Sequence, residues 1–222
     1  MALTTAKNFL LLTERIDDKP MLRTRFTAQA YFLLATLLDL LDQGVLQVDG
    51  DRIVVPDVDR FDQLPQYLNA LRIRLTSDLM QNDQLKTALK LVTSWDIVNA
   101  VYDGIGAETL TDGTTERVLF QNNLKPHVIY EPKDASRQAV IADLKAQIAS
   151  GQPNHPTINL YAVLAQTGAL KWVFGEVGLD KLQSQFETAT SVDPYAQTVQ
   201  LMTTTAGEII QSKKFEMDSW LS

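Results

Sequence analysis

AYFLLATLLDLL, residues 30–41, is the longest apolar run in the chain, and where it lies decides the fold. Asp39 interrupts it, and it falls well short of the roughly 20 apolar residues that a membrane span requires. Counted from Phe26, the apolar positions Phe26, Ala30, Leu33, Leu34, Leu37 and Leu41 recur at the i, i+3, i+4 spacing of a helix. Thr24 or Thr27 can supply the N-cap, and Gly44 suits the left-handed residue that closes a helix. Residues 26–43 contain no Lys or Arg, so this helix is expected in a core.

The next stretch, GVLQVDGDRIVV (44–55), reads as a β-hairpin: a strand from Val45 to Val48, an Asp49-Gly50 turn, and a return from Arg52 to Val55 before Pro56. The same order recurs in SWDIVNAVYDGIGAETLTDGTTERVLF (94–120). Ser94 is the expected N-cap, Trp95, Ile97, Val98, Val101 and Ile105 have helical spacing, and a hairpin is expected over 108–120 around Asp112-Gly113. Between the two units, residues 63–92 read as two helices split near Ser77 to Asp83.

The second half is almost wholly helical. Asp134 is the expected cap of a helix that ends at Ser150-Gly151, GQPNHP (151–156) is a loop, and TINLYAVLAQTGAL (157–170) is apolar nearly all round, as at the centre of a bundle. A helix near Leu179 to Thr190 follows, and Asp193-Pro194 opens another through Ile210. Residues 213–222 are left as a tail, free either to dock or to stay flexible. With no linker composition anywhere, the expected fold is mainly α, a single-domain helical bundle over 1–222 with two small β-hairpins.

Composition narrows the function. The 222 residues are 45% hydrophobic, enough for a sizeable core, and carry a net charge of −7. Nucleic-acid binding rests largely on phosphate neutralisation, which this balance disfavours. The chain is not uniformly acidic: through Arg25 five basic residues face three acidic ones, a net of +2 that leaves −9 for the rest. The absence of cysteine excludes disulfides and thiolate metal sites. The first 18 residues hold too short an apolar stretch, followed by acids, for an export signal, so a cytoplasmic protein is expected.

Groups that could carry catalysis are few. His127 and His155 fall in expected loops beside prolines and share no metal-ligand spacing. GIGAET (104–109) lacks the third glycine and the preceding strand of a dinucleotide loop. Asp17-Asp18 and Asp49/Asp51 sit in expected turns, where backbone hydrogen bonding accounts for them. Trp95 and Trp172 lie on apolar helical patterns and are expected in the core. No catalytic residue, metal or cofactor is therefore expected.

FLLLTERIDDKP (9–20), the helix ending LLDLLDQGVLQVDGDRIVV (37–55), the second hairpin's ERVLF (116–120), INLYAVLAQTGAL (158–170) and the helix start DPYAQTVQ (193–200), in this order, resemble the Golgi phosphoprotein 3 family and its bacterial relatives over nearly the whole chain. The resemblance implies a mainly helical domain, and its eukaryotic members are peripheral membrane proteins that bind phosphatidylinositol 4-phosphate. In a gapless pairing the four head-group positions of those members carry Thr24, Leu33, Ser94 and Ile97, none of which matches. Arg23, Arg25 and Trp95 are the nearest substitutes and become the head-group-binding candidates. The basic N-terminal arm that recruits coat proteins has no counterpart here.

The implied partners are anionic lipid head groups at a membrane surface, with self-association through the 108–120 hairpin expected from its open edge. A cation near an anionic membrane contributes roughly 1 kcal/mol, so Lys19, Arg23 and Arg25 offer about 3. Millimolar binding needs about 4, so a pocket, an inserted apolar group or clustering must add the rest. Two other readings stand beside this one: a winged-helix nucleic-acid binder, suggested by the paired helix and hairpin units, and a helical scaffold without a ligand.

Overall fold

A computed structural model describes residues 3–14, 25–120 and 127–219, with Arg25, Phe120 and His127 described in backbone only. The first helix, α1 (Thr4–Thr13), precedes the leucine-dense α2 (Arg25–Asp42). The first hairpin is β1 (Gln47–Asp49) and β2 (Arg52–Val54). Then come α3 (Val58–Asp62), a 3-10 turn at Gln66–Leu68, α4 (Asn69–Gln81), α5 (Leu85–Ala88) and a second 3-10 segment, Leu89–Thr93. Next, α6 (Trp95–Thr111) leads into the second hairpin, β3 (Thr115–Phe120) and β4 (His127–Pro132). The chain finishes with α7 (Asp134–Ala149), α8 (His155–Gln166), α9 (Leu170–Phe174), α10 (Leu179–Thr190) and α11 (Pro194–Ser219). The protein is thus mainly α, with two separate two-stranded antiparallel sheets.

The arrangement is built around α2. Leu33, Leu34, Ala35, Leu38 and Leu40 have no exposed surface, and Tyr31, Phe32 and Leu37 are nearly as deep, so the helix has no solvent face over these turns. It is enclosed by α1, α6, α8, α11 and the Leu89–Thr93 segment. Side-chain pairs set the directions: Gln29 meets Asn99 and Phe32 meets Tyr102, so α6 runs parallel to α2. Asn159 donates to the Leu38 carbonyl and Tyr31 bonds Gln166, so α8 runs antiparallel. The second layer of burial is α8, where every residue from Thr157 to Leu164 is buried. Each buried leucine contributes roughly 1.5–3 kcal/mol relative to exposure, which makes these two helices the main source of stability.

The first hairpin forms with its turn one residue later than expected: Asp49 pairs with Arg52, so Gly50-Asp51 and not Asp49-Gly50 makes the turn, and the first strand starts at Gln47 because the Val45 and Leu46 amides donate to the Leu40 carbonyl and close α2. It does not project as a wing. Ile53 donates to the Asp83 carbonyl and Leu85 to that of Asp51, so the outer edge of β2 is occupied by the body of the protein. The Arg52 guanidinium pairs with the Asp83 carboxylate on the same side.

The second hairpin is displaced from the expected 108–120 to 115–132, because α6 continues through Gly104, Gly106 and Thr109 to Thr111. Asp112-Gly113 therefore closes a helix rather than turning a hairpin, with Gly113 at φ +71° in the left-handed region. The glycines inside α6 have a packing cause. A Cβ at Gly104 would lie 2.1 Å from the Tyr67 ring, and one at Gly106 would lie 2.1 Å from the Tyr130 ring. GIGAET is thus a seat for two aromatic rings and not a phosphate loop.

Smaller differences have similar local reasons. Asp134 is the first residue of α7 and Lys133 its N-cap, while Asn154 caps α8 by accepting from the Thr157 amide. His155 therefore begins a helix, and His127 begins β4, where loops were expected. Residues 213–219 of the expected tail extend α11, with Met217 partly packed on the core, and residues 220–222 lie outside the described residues.

Replacing Gly106 by Ala should destabilise the protein by a net of about 2 kcal/mol. Displacing the Tyr130 ring costs about 3 kcal/mol at the upper end for overpacking, and helix propensity returns roughly 1. Urea unfolding followed by far-UV circular dichroism measures the difference.

Candidate functional site

At one end of α2 the chain places an aromatic group in solvent. Ser94 is extended, at φ −87° and ψ 108°, and directs α6 so that its first residue, Trp95, lies on the outside. The indole leans on Phe26 of α2, with ring centroids 5.9 Å apart, and remains 44% exposed. Trp172 is also about half exposed, with the Lys171 ammonium 5.4 Å from its ring centre. The expectation that both tryptophans are core residues is therefore corrected: Trp95 lies on the exposed face of α6 with Asp96 and Asn99, and Trp172 on that of α9 with Lys171.

Among the head-group candidates, the structure brings Trp95 to the start of α2, where Arg25 is the residue before Phe26. Arg23 lies outside the described residues, and of Arg25 only the backbone is described. Leu33 and Ile97, at two of the positions paired with the family site, are buried in the core and line no surface. One turn into α2, Gln29 donates to Asn99 Oδ1 at 3.2 Å, while its buried Oε1 has no hydrogen-bond partner among the described residues.

Beside this end lies a cleft of about 500 Å³. Lys86, Lys90 and Thr93 form one wall, and Glu208, Ser212, Lys213 and Glu216 of α11 form the other. Lys213 is held by Glu216 at 2.9 Å, whereas Lys86 and Lys90 make no ion pair among the described residues. Thr93 joins the cleft to Trp95, two residues on. The Lys86/Lys90 spacing, four apart, signals one helical face. Their meeting with Lys213, more than 120 positions later, has no local signal in the sequence.

A polar network occupies the opposite end of α2. Asp39 accepts the Thr5 and Ala6 amides at 2.8 and 2.9 Å and so caps α1 from another helix. Asn159 Nδ2 donates to the Leu38 carbonyl at 3.3 Å and contacts Thr5 Oγ1 at 3.4 Å. The Tyr195 hydroxyl donates to Asn159 Oδ1 at 3.0 Å. The Tyr195 ring stacks on His155, centroids 3.6 Å apart, and His155 Nδ1 bonds Asp42 at 2.7 Å. Burial pushes the Asp39 carboxyl up to about 7 against the pull of the two amides, and burial also raises the Tyr195 hydroxyl above its ordinary value. His155 thus stands at the rim of a network whose members are committed to one another. No group of metal-ligating side chains occurs among the described residues.

Tyr195→Phe leaves the buried Asn159 carbonyl without its donor and should cost about 1 kcal/mol in urea unfolding, a loss that Tyr130→Phe, whose hydroxyl bond is longer at 3.4 Å, should not match. Compared with known proteins, the chain matches no family model and no curated protein.

Proposed function

We propose that this chain is a non-catalytic, cytoplasmic protein of the Golgi phosphoprotein 3 type that attaches peripherally to anionic membrane surfaces through the Trp95 end. The half-exposed Trp95 on Phe26, near the Arg25 backbone and the adjoining cleft, whose Lys86 and Lys90 make no ion pair among the described residues, carries this reading. An indole at a surface edge suits the boundary between head groups and acyl chains, and the lysines supply the charge. Lys86 and Lys90 each offer roughly 1 kcal/mol toward an anionic surface, set against Glu208 and Glu216 on the same cleft. No helix among the described residues is long and apolar enough to cross a membrane, which is compatible with peripheral attachment. The winged-helix alternative loses support because α2 is enclosed on all sides and has no face to lay in a groove.

Flotation with phosphatidylcholine vesicles, with and without phosphatidylserine or phosphatidylinositol 4-phosphate, tests the reading at low salt. Binding should require the anionic lipid, weaken about fivefold in Lys90→Ala, and fall again in Trp95→Ala. The absence of lipid-dependent association would remove the reading. Self-association through the second hairpin is supported by Leu119, exposed on β3, and light scattering should then show a larger species that Leu119→Lys reduces.

A further inference from the structure

Of the residues of α10 only Phe186 is buried, with Leu179 and Leu182 partly packed on the core, whereas α8 beside it is buried from Thr157 to Leu164. The Phe186 ring stacks on Tyr161 of α8, centroids 3.7 Å apart. Among the described residues every side-chain hydrogen bond of this segment returns to its own backbone. Thr188 donates to the Ser184 carbonyl, Thr190 to that of Phe186 and Ser191 to that of Thr188. No ion pair among the described residues ties α10 to another helix.

Its connections are as loose as its face. Gly178 offers no side-chain cap, and residues 175–178 and 191–192 are all exposed. The flanking helices are finished without it: the Gly175 amide closes α9 on the Lys171 carbonyl, and Asp193 caps α11 by accepting the Tyr195 amide. Clefts run along both sides of α10. One of about 420 Å³ lies between Ser184 and Thr188 and the Ile148 end of α7. The other, about 390 Å³, lies between Glu187 and Thr190 and the Ile158 and Ala162 turns of α8.

We propose that α10 is a strap that opens on its own while the rest of the bundle stays folded. Its lifting joins the two clefts into one apolar trough floored by Ile148, Ile158, Tyr161 and Ala162. A segment opens locally when few apolar contacts hold it and its neighbours do not depend on it. An isolated helix of this length is marginal in water, so release from Tyr161 also unfolds it. Ile148 and Ile158 have almost no exposure with the strap closed, so opening uncovers surface that is otherwise sealed. It requires neither a membrane nor a ligand.

Native-state hydrogen exchange of the full chain in low urea, read by mass spectrometry, tests the strap. Peptides of α10 should exchange about a hundredfold faster than those of α8, with a smaller urea dependence because less surface is exposed. Leu34→Ala, which weakens the core of α2, should speed α8 exchange by more than about thirtyfold and leave α10 unchanged. Equal rates and urea slopes for the two helices, or equal acceleration of both by Leu34→Ala, would overturn the proposal. Should that variant not fold, thiol labelling of Ala162→Cys decides, in a chain with no cysteine of its own. A labelling rate matching α10 exchange supports the strap, and one matching α8 exchange refutes it.

Discussion

A helix enclosed on every side must find partners inside the protein for each polar side chain it carries. Within its buried turns α2 carries Gln29, Thr36 and Asp39. Thr36 returns its hydroxyl to the Phe32 carbonyl, Gln29 reaches α6, and Asp39 reaches α1. Each of the last two bonds also fixes the register of a neighbouring helix against α2, while the Gln29 Oε1 is left without a partner among the described residues. The leucines drive collapse without direction, and these polar pairs specify which face and which turn of each neighbour is admitted.

The same enclosure separates two chemical environments. At its C-terminal end α2 meets the starts of α8 and α11, where hydrogen bonds join Asp42 to His155 and Tyr195 to Asn159 and a ring stack joins His155 to Tyr195. At its N-terminal end the neighbours are the end of the Leu89–Thr93 segment, the start of α6 and the late turns of α11, which bring lysines and an indole to the surface. In a molecule with a net charge of −7, Lys86 and Lys90 thus stand without an ion pair among the described residues, on a cleft they share with Glu208 and Glu216.

Much of this was legible in the residues themselves. The spacing of Phe26, Ala30, Leu33, Leu34 and Leu37, closed by Gly44, marks α2 and its burial without reference to anything distant. The Asp-Gly pair at 112–113 is ambiguous in the sequence because the same dipeptide serves a hairpin turn and a helix C-terminus, and here it serves the latter. Only the Tyr67 and Tyr130 rings, seated on Gly104 and Gly106, explain why α6 runs on to reach it. Trp95 and Trp172 share the helical spacing of their apolar neighbours, yet being on an apolar helix does not say which side of it faces inward. The lysine cleft and the Asp39 network were illegible for a simpler reason: their members come from segments far apart in the chain.

That separation has a consequence for the order of assembly. Thr5 contacts Asp39 across 34 positions and Asn159 across 154. During synthesis α1 leaves the ribosome first, but the side chain that caps it is made later and the amide that completes its setting later still. The apolar face of α1, with Phe9, Leu10 and Leu12, can lean on α2 early, but its setting is complete only once residues as late as Asn159 have been made.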